Sequence, residues 1–94
     1  MTDEEKLRTR LRFAFRIATL RRMAKLTQEE LADRAGLQRT HVGRIEAGKY
    51  AVTLETVEAI AQALGMTVDI IDPRLRDLSP LTTLTEHKEK EKSD

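Results

Sequence analysis

The chain holds four glycines and two prolines, and before Gly36 it has neither. Such a stretch favours regular structure, and the spacing of its apolar residues decides which kind. Leu7, Leu11, Ala14, Ile17, Leu20 and Ala24 recur at steps of three and four, with Phe13 one turn before Ile17. That is the period of an amphipathic helix, and it predicts one from about Asp3 to Ala24. Gly36, Gly48 and Gly65 then each follow a short apolar-periodic run, where a glycine takes the left-handed conformation that ends a helix. A long first helix followed by short ones leaves little besides an all-α fold.

The starts of the helices are equally legible. Thr2-Asp-Glu-Glu5 and Thr27-Gln-Glu-Glu30 both have the capping-box pattern, a hydroxyl that caps and a Glu three residues on. The second helix, with Leu31, Ala32 and Ala35 as its buried stripe, is about eight residues long and stops at Gly36. A third runs from about Arg39 to Ala47, with Val42 and Ile45 apolar, and stops at Gly48. Two short helices joined by a tight glycine turn outline a helix-turn-helix. Thr53 caps a fourth helix, whose Leu54, Val57, Ile60, Ala61 and Leu64 share a face before Gly65.

The pattern then changes. Thr67-Val-Asp-Ile-Ile71 is rich in β-branched residues and partly alternating, which predicts a short strand within 66–72. A lone strand leaves backbone groups unpaired, and nothing else in the chain is a partner for it. The simplest partner is the same strand of a second copy, with Val68, Ile70 and Ile71 as the dimerisation residues. The domain is therefore expected to span 1–72. Residues 73–94 read as a polar tail, with a further helix started by Ser79-Pro80 and a charged, disordered end from Glu86.

Composition removes several function classes. The three aromatics, Phe13, Phe15 and Tyr50, are too few for a large β-sandwich, an aromatic RNA-stacking sheet or a big substrate pocket. The absence of cysteine excludes a disulfide framework, a Cys-based zinc site and thiol chemistry. No apolar run reaches membrane-span length, and Met1 to Lys6 is too charged for a signal segment, so a cytoplasmic location is expected. His41 and His87 are the only histidines and lie far apart. No Asp/Glu/His spacing makes a metal site, and the paired carboxylates are helix-start residues favoured by the helix dipole. Neither an enzyme nor a cofactor is expected.

Charge is uneven. Residues 1–50 carry twelve Lys/Arg against seven Asp/Glu, and residues 51–94 carry five against nine. A basic half suggests an anionic partner, although an Arg-rich solvated helix would give the same count. The third helix narrows the choice. At about 100° per residue, Val42 and Ile45 mark its buried side, and Thr40, Gly43, Arg44 and Ala47 fall opposite. Arg39 stands at its N-terminus. Small residues flanked by long polar ones suit a major groove, where the backbone must approach and Arg can donate twice to one guanine.

Leu26-Thr-Gln-Glu-Glu-Leu-Ala-Asp-Arg-Ala-Gly-Leu37, followed by Val42-Gly-Arg-Ile-Glu-Ala-Gly-Lys49, closely resembles the Cro/CI-type (XRE) helix-turn-helix family. The resemblance covers about Phe13 to Leu64 and includes the Ala-Leu-Gly that closes the fourth helix. It implies a five-helix-type, lambda-repressor-like fold that binds double-stranded DNA. By that resemblance Arg39, Thr40 and Arg44 are base readers, with His41 beside them. Gln28, Lys49, Tyr50 and Thr53 are phosphate contacts, and Gln28 also braces the first reading side chain. Glu46 and Arg21 match a buried or half-buried pair tying the first helix to the third. Ala32 and Gly36 match positions kept small for close helix crossing.

Two departures matter. Many relatives have a fifth helix where a strand is expected here, a variant resembling the HipB- and HigA-like antitoxin branch. The first helix is also longer than the family needs, and Phe15 falls on its polar face, against a partner or against its own tail. The leading expectation is a homodimeric repressor of an inverted-repeat operator, in its narrower form an antitoxin with a cognate toxin partner. The alternative is a protein–protein module that uses the basic amphipathic first helix, and it differs in predicting no affinity for DNA.

Overall fold

The structure is a computed structural model that describes residues 1–73. It is all-helical: α1 (Asp3–Met23), α2 (Gln28–Ala35), α3 (Arg39–Glu46), α4 (Leu54–Ala63) and a single 3-10 turn at Val68–Ile70. Each helix begins and ends within a residue of the expectation, because its ends are set by local chemistry. Thr2, Thr27 and Thr53 each accept a hydrogen bond from the backbone N–H three residues on. At Thr27 the box is complete, since Glu30 accepts from the Thr27 N–H at 3.0 Å. That bond, with the one from the Thr27 hydroxyl, holds the Glu30 carboxyl below its ordinary range. Its contribution to folding is therefore present above the usual glutamate pKa and fades as pH falls through the lowered folded value.

α2 and α3 pack on each other, α1 packs on α3, and α4 packs on α2 and the 3-10 turn. Ile17, Leu31, Val42, Ile45 and Ile60 are fully buried at the centre. Between α2 and α3, Gly36 is left-handed (φ 69°), and Leu37 N–H returns to the Ala32 carbonyl at 2.9 Å. That bond satisfies one of the orphan carbonyls at the helix end. Between α1 and α2 the same role falls to Lys25, left-handed at φ 60° without being glycine.

Two expectations change. Leu7 and Leu11 continue the apolar period of α1, yet both are exposed, and so is Ala24. α1 is longer than the helices beneath it, so its periodicity outruns the core. Phe15 is 74% exposed, with neither a core contact nor a described segment covering it.

The second change is at 66–72, where the expected strand is replaced by the 3-10 turn. A turn satisfies its own backbone: the N–H groups of Ile70, Ile71 and Asp72 donate to Thr67 and Val68 carbonyls at 3.1, 3.1 and 3.2 Å. A solitary strand could not do this. Ile71, expected on a dimer surface, is 2% exposed and joins the core of its own chain. Val68 packs partly against that core, and Ile70 alone of the three stays on the surface. The expected tail helix and charged end lie outside the described residues.

The extended part of α1 is not idle. Gly48, left-handed at φ 72°, lies under Leu11, and a Cβ on it would come within 2.8 Å of the Leu11 Cδ2. At Gly36 a Cβ would meet nothing within 4 Å. Gly36→Ala should therefore cost only the left-handed strain, roughly 1–2 kcal/mol. Gly48→Ala should cost about 1 kcal/mol more, from the added overpacking. Urea denaturation checks this, and replacing Leu11 by Ala in the Gly48→Ala protein should recover the excess.

Candidate nucleic-acid interface

α3 is held from one side only. Val42 and Ile45 are buried, while Arg39, Thr40, Arg44 and Ala47 are exposed on the rest of its surface. His41 and Gly43 are half-buried at the edges. Gly43 is not simply open to solvent, since a Cβ there would lie 3.5 Å from the Gln28 Oε1 of α2. The start of α3 is electrostatically distinctive. α2 begins with Glu29 and Glu30 and α4 with Glu55, but α3 has no acidic residue in its first turn and no side-chain cap. Its positive dipole end would therefore face an anion without a competing carboxylate, although the His41 N–H is already used on the Gln38 carbonyl at 3.0 Å.

An ion pair fixes the other end of α3. Arg21 of α1 donates through Nε to Glu46 Oε2 at 2.7 Å and through Nη2 to Oε1 at 2.9 Å. Its Nη1 donates to the Leu26 carbonyl at 2.7 Å. Gln28 Nε2 adds a bond to Glu46 Oε1 at 3.2 Å. The two charged side chains retain only 11% and 6% of their surface. The hydrogen bonds to Glu46 outweigh burial and raise the Arg21 guanidinium further above its already high ordinary value. One carboxylate thus joins α1, α2 and α3. The pair implied by the resemblance is present, and Gln28 is a third member of it that the motif did not disclose.

The loop after α3 supplies the remaining candidates. Lys49 is exposed just past Gly48. Thr53 uses its hydroxyl as the α4 cap, accepting from Thr56 N–H at 3.2 Å and donating to the Thr56 hydroxyl at 2.9 Å. Tyr50 folds back onto α3. Its hydroxyl accepts from Arg44 Nη1 at 3.1 Å, and its ring centroid lies 5.7 Å from the Arg44 guanidinium carbon and 5.7 Å from the His41 ring. Arg39, Thr40, His41, Arg44, Lys49 and Tyr50 are thus carried by α3 and the loop that follows it. Gln28 stands at the start of α2 beside Gly43 and Glu46 of α3, and Val68, Ile70 and Ile71 belong to the separate 3-10 segment. No sequence period would have found the Arg44–Tyr50 contact, because it crosses a glycine turn. Among the described residues no helix is long and apolar enough to cross a membrane.

The chain matches the helix-turn-helix family (HTH_3) over residues 17–71. It is similar to the immunity repressor protein of Bacillus phage phi105, 45% identical over 56 residues, which are 60% of this chain and 39% of that protein. It is similar to control protein C.SmaI of Serratia marcescens, 38% identical over 52 residues, 55% of this chain and 62% of that one. The chain thus spans less than two thirds of both relatives. Among solved structures it resembles the restriction-modification controller protein C.AhdI from Aeromonas hydrophila. The TM-score is 0.65 at 34% identity, covering 66% of this chain and 94% of that one.

Because the Glu46 side chain keeps only 6% of its surface, removing its partner leaves a poorly solvated, uncompensated charge. Arg21→Met should destabilise the fold by about 3 kcal/mol, whereas Arg21→Met with Glu46→Leu should recover most of that loss. Thermal or urea unfolding of the two proteins measures the difference.

Proposed function

This chain belongs to the helix-turn-helix family, and we propose that it is a sequence-specific DNA-binding repressor that acts as a homodimer on an inverted-repeat operator. The observation that carries this reading is the free face of α3. Arg39, Thr40 and Arg44 stand exposed on a helix whose start bears no acidic residue and whose opposite side is locked into the core. Arg39 and Arg44 each offer a guanine the paired donors that the major groove selects, and Thr40 and His41 supply neutral contacts beside them. Lys49, with Gln28 and Thr53 near helix starts, serves the phosphates that position the helix. Two copies with recognition helices about 34 Å apart would read half-sites one turn apart. The mechanism is occlusion of a promoter, with no chemistry at the site. The repressor and controller relatives support that outcome.

For dimerisation, Met66 and Ile70 are exposed apolar side chains four residues apart at the end of the domain. They replace the expected strand as the contact between copies. An antitoxin role adds a toxin protein as a second partner. The strand that favoured that role is a 3-10 turn here, which leaves the long α1 with its exposed Phe15 as support. The same exposed Leu7, Leu11 and Phe15 support a protein partner for α1.

Random-site selection on duplex DNA tests the proposal. An inverted repeat is expected, and no enrichment over random sequence would remove the DNA-reading role. On the selected site Arg39→Ala should cost roughly 1–3 kcal/mol and loosen preference at one base pair. Lys49→Ala should weaken all sequences alike and lower the salt slope by about one. Ile70→Asp should leave the circular dichroism of the fold intact and give monomers in sedimentation. A dimer would place the contact elsewhere.

A further inference from the structure

We infer that Tyr50 is a specificity-determining positioning residue, which sets the Arg44 guanidinium for base reading, rather than a phosphate ligand in its own right. The inference rests on the reading of α3 as the recognition helix. Its basis is a three-residue contact. Tyr50 lies against two side chains one turn apart on α3: its ring centroid is 5.7 Å from the His41 ring, and its hydroxyl accepts from Arg44 Nη1 at 3.1 Å. The guanidinium carbon also lies 5.7 Å from the ring centroid, within cation–π range.

An exposed Arg carries many rotamers, and ordering it on a base costs entropy. A tyrosine anchored by its backbone beyond a glycine turn holds that side chain before DNA arrives, so less order is lost on binding. Only one N–H of the guanidinium is used. Its Nε and Nη2 edge still offers the two parallel donors that a guanine O6 and N7 accept. The phenol, accepting from Arg44, keeps its own O–H free to donate. His41 lies against the same ring, tilted by 40° to it. The pair Arg44–Tyr50 thus acts as one reading unit assembled from helix and loop.

The test uses the full chain and the most enriched duplex from random-site selection, with single-base variants of it. Tyr50→Phe removes the hydrogen bond but keeps the ring. It should lower affinity for the selected duplex about fivefold. It should reduce discrimination at the base pair whose preference Arg44→Ala abolishes, with the salt slope unchanged. In the Arg44→Ala protein, Tyr50→Phe should then change nothing further. Equal weakening on every sequence, with a lower salt slope, would make Tyr50 a phosphate ligand and overturn the inference. So would additive effects of the two changes. If Arg44→Ala itself leaves sequence preference intact, the base-reading assignment of Arg44 fails first. A DNA-free arm separates these cases. Tyr50 is the single tyrosine and there is no tryptophan, so its emission reports the contact alone. Arg44→Ala should make that emission more quenchable by acrylamide, and unchanged quenching would show that the contact is not made in solution.

Discussion

The carboxylate of Glu46 is the point on which the rest of the structure turns. It takes two hydrogen bonds from Arg21 of α1 and one from Gln28 of α2, while standing at the end of α3. Three helices that share a small core are thereby held at fixed angles by one side chain. A core of this size would tolerate some sliding of eight-residue helices, because dispersion and burial are not directional. A bidentate guanidinium–carboxylate pair is directional. It ties α3 to the long α1 at the end away from Arg39, and so leaves the start of α3 free of structural duties.

Division of labour along α3 follows from that arrangement. Val42 and Ile45 are given to the core, Glu46 to the clamp, and Arg39, Thr40 and Arg44 to solvent. The loop beyond Gly48 then returns Tyr50 to the exposed side, where it meets Arg44 and His41. Gly48 makes both halves of this possible. It ends α3 in a left-handed conformation and allows Leu11 of α1 to lie directly over the turn. The extended α1 therefore supports the loop that carries Lys49 and Tyr50, besides supporting α3 itself.

What could be read from the residues alone was whatever local chemistry decides. The Thr caps place the starts of α1, α2 and α4, and the Gly stops the ends of α2, α3 and α4, within a residue, because both act over one turn. Where tertiary context decides, local pattern is not enough. Thr67 to Ile71 is β-branched, and that pattern does not separate a strand from a turn whose last residue the core claims; Ile71 is that residue. Leu7 and Leu11 have helical spacing, but spacing does not say where the neighbouring helices end. The Arg21–Glu46 pair came from the family resemblance, since 25 residues separate its members. The Gln28–Glu46 and Arg44–Tyr50 contacts had no signal in the sequence, because each joins residues from two elements whose relative placement only the packed fold supplies.

In the proposed role the exposed face of α3 reads base edges in a major groove. Methylation interference on the selected duplex tests it most directly, because a methyl group on guanine N7 removes the acceptor that an Arg fork requires. Strong interference is expected at guanines in two patches one helical turn apart, on one face of the duplex. Interference from phosphate ethylation alone, with guanine methylation without effect, would mean that the protein holds DNA by its backbone, and would contradict the role assigned to Arg39 and Arg44.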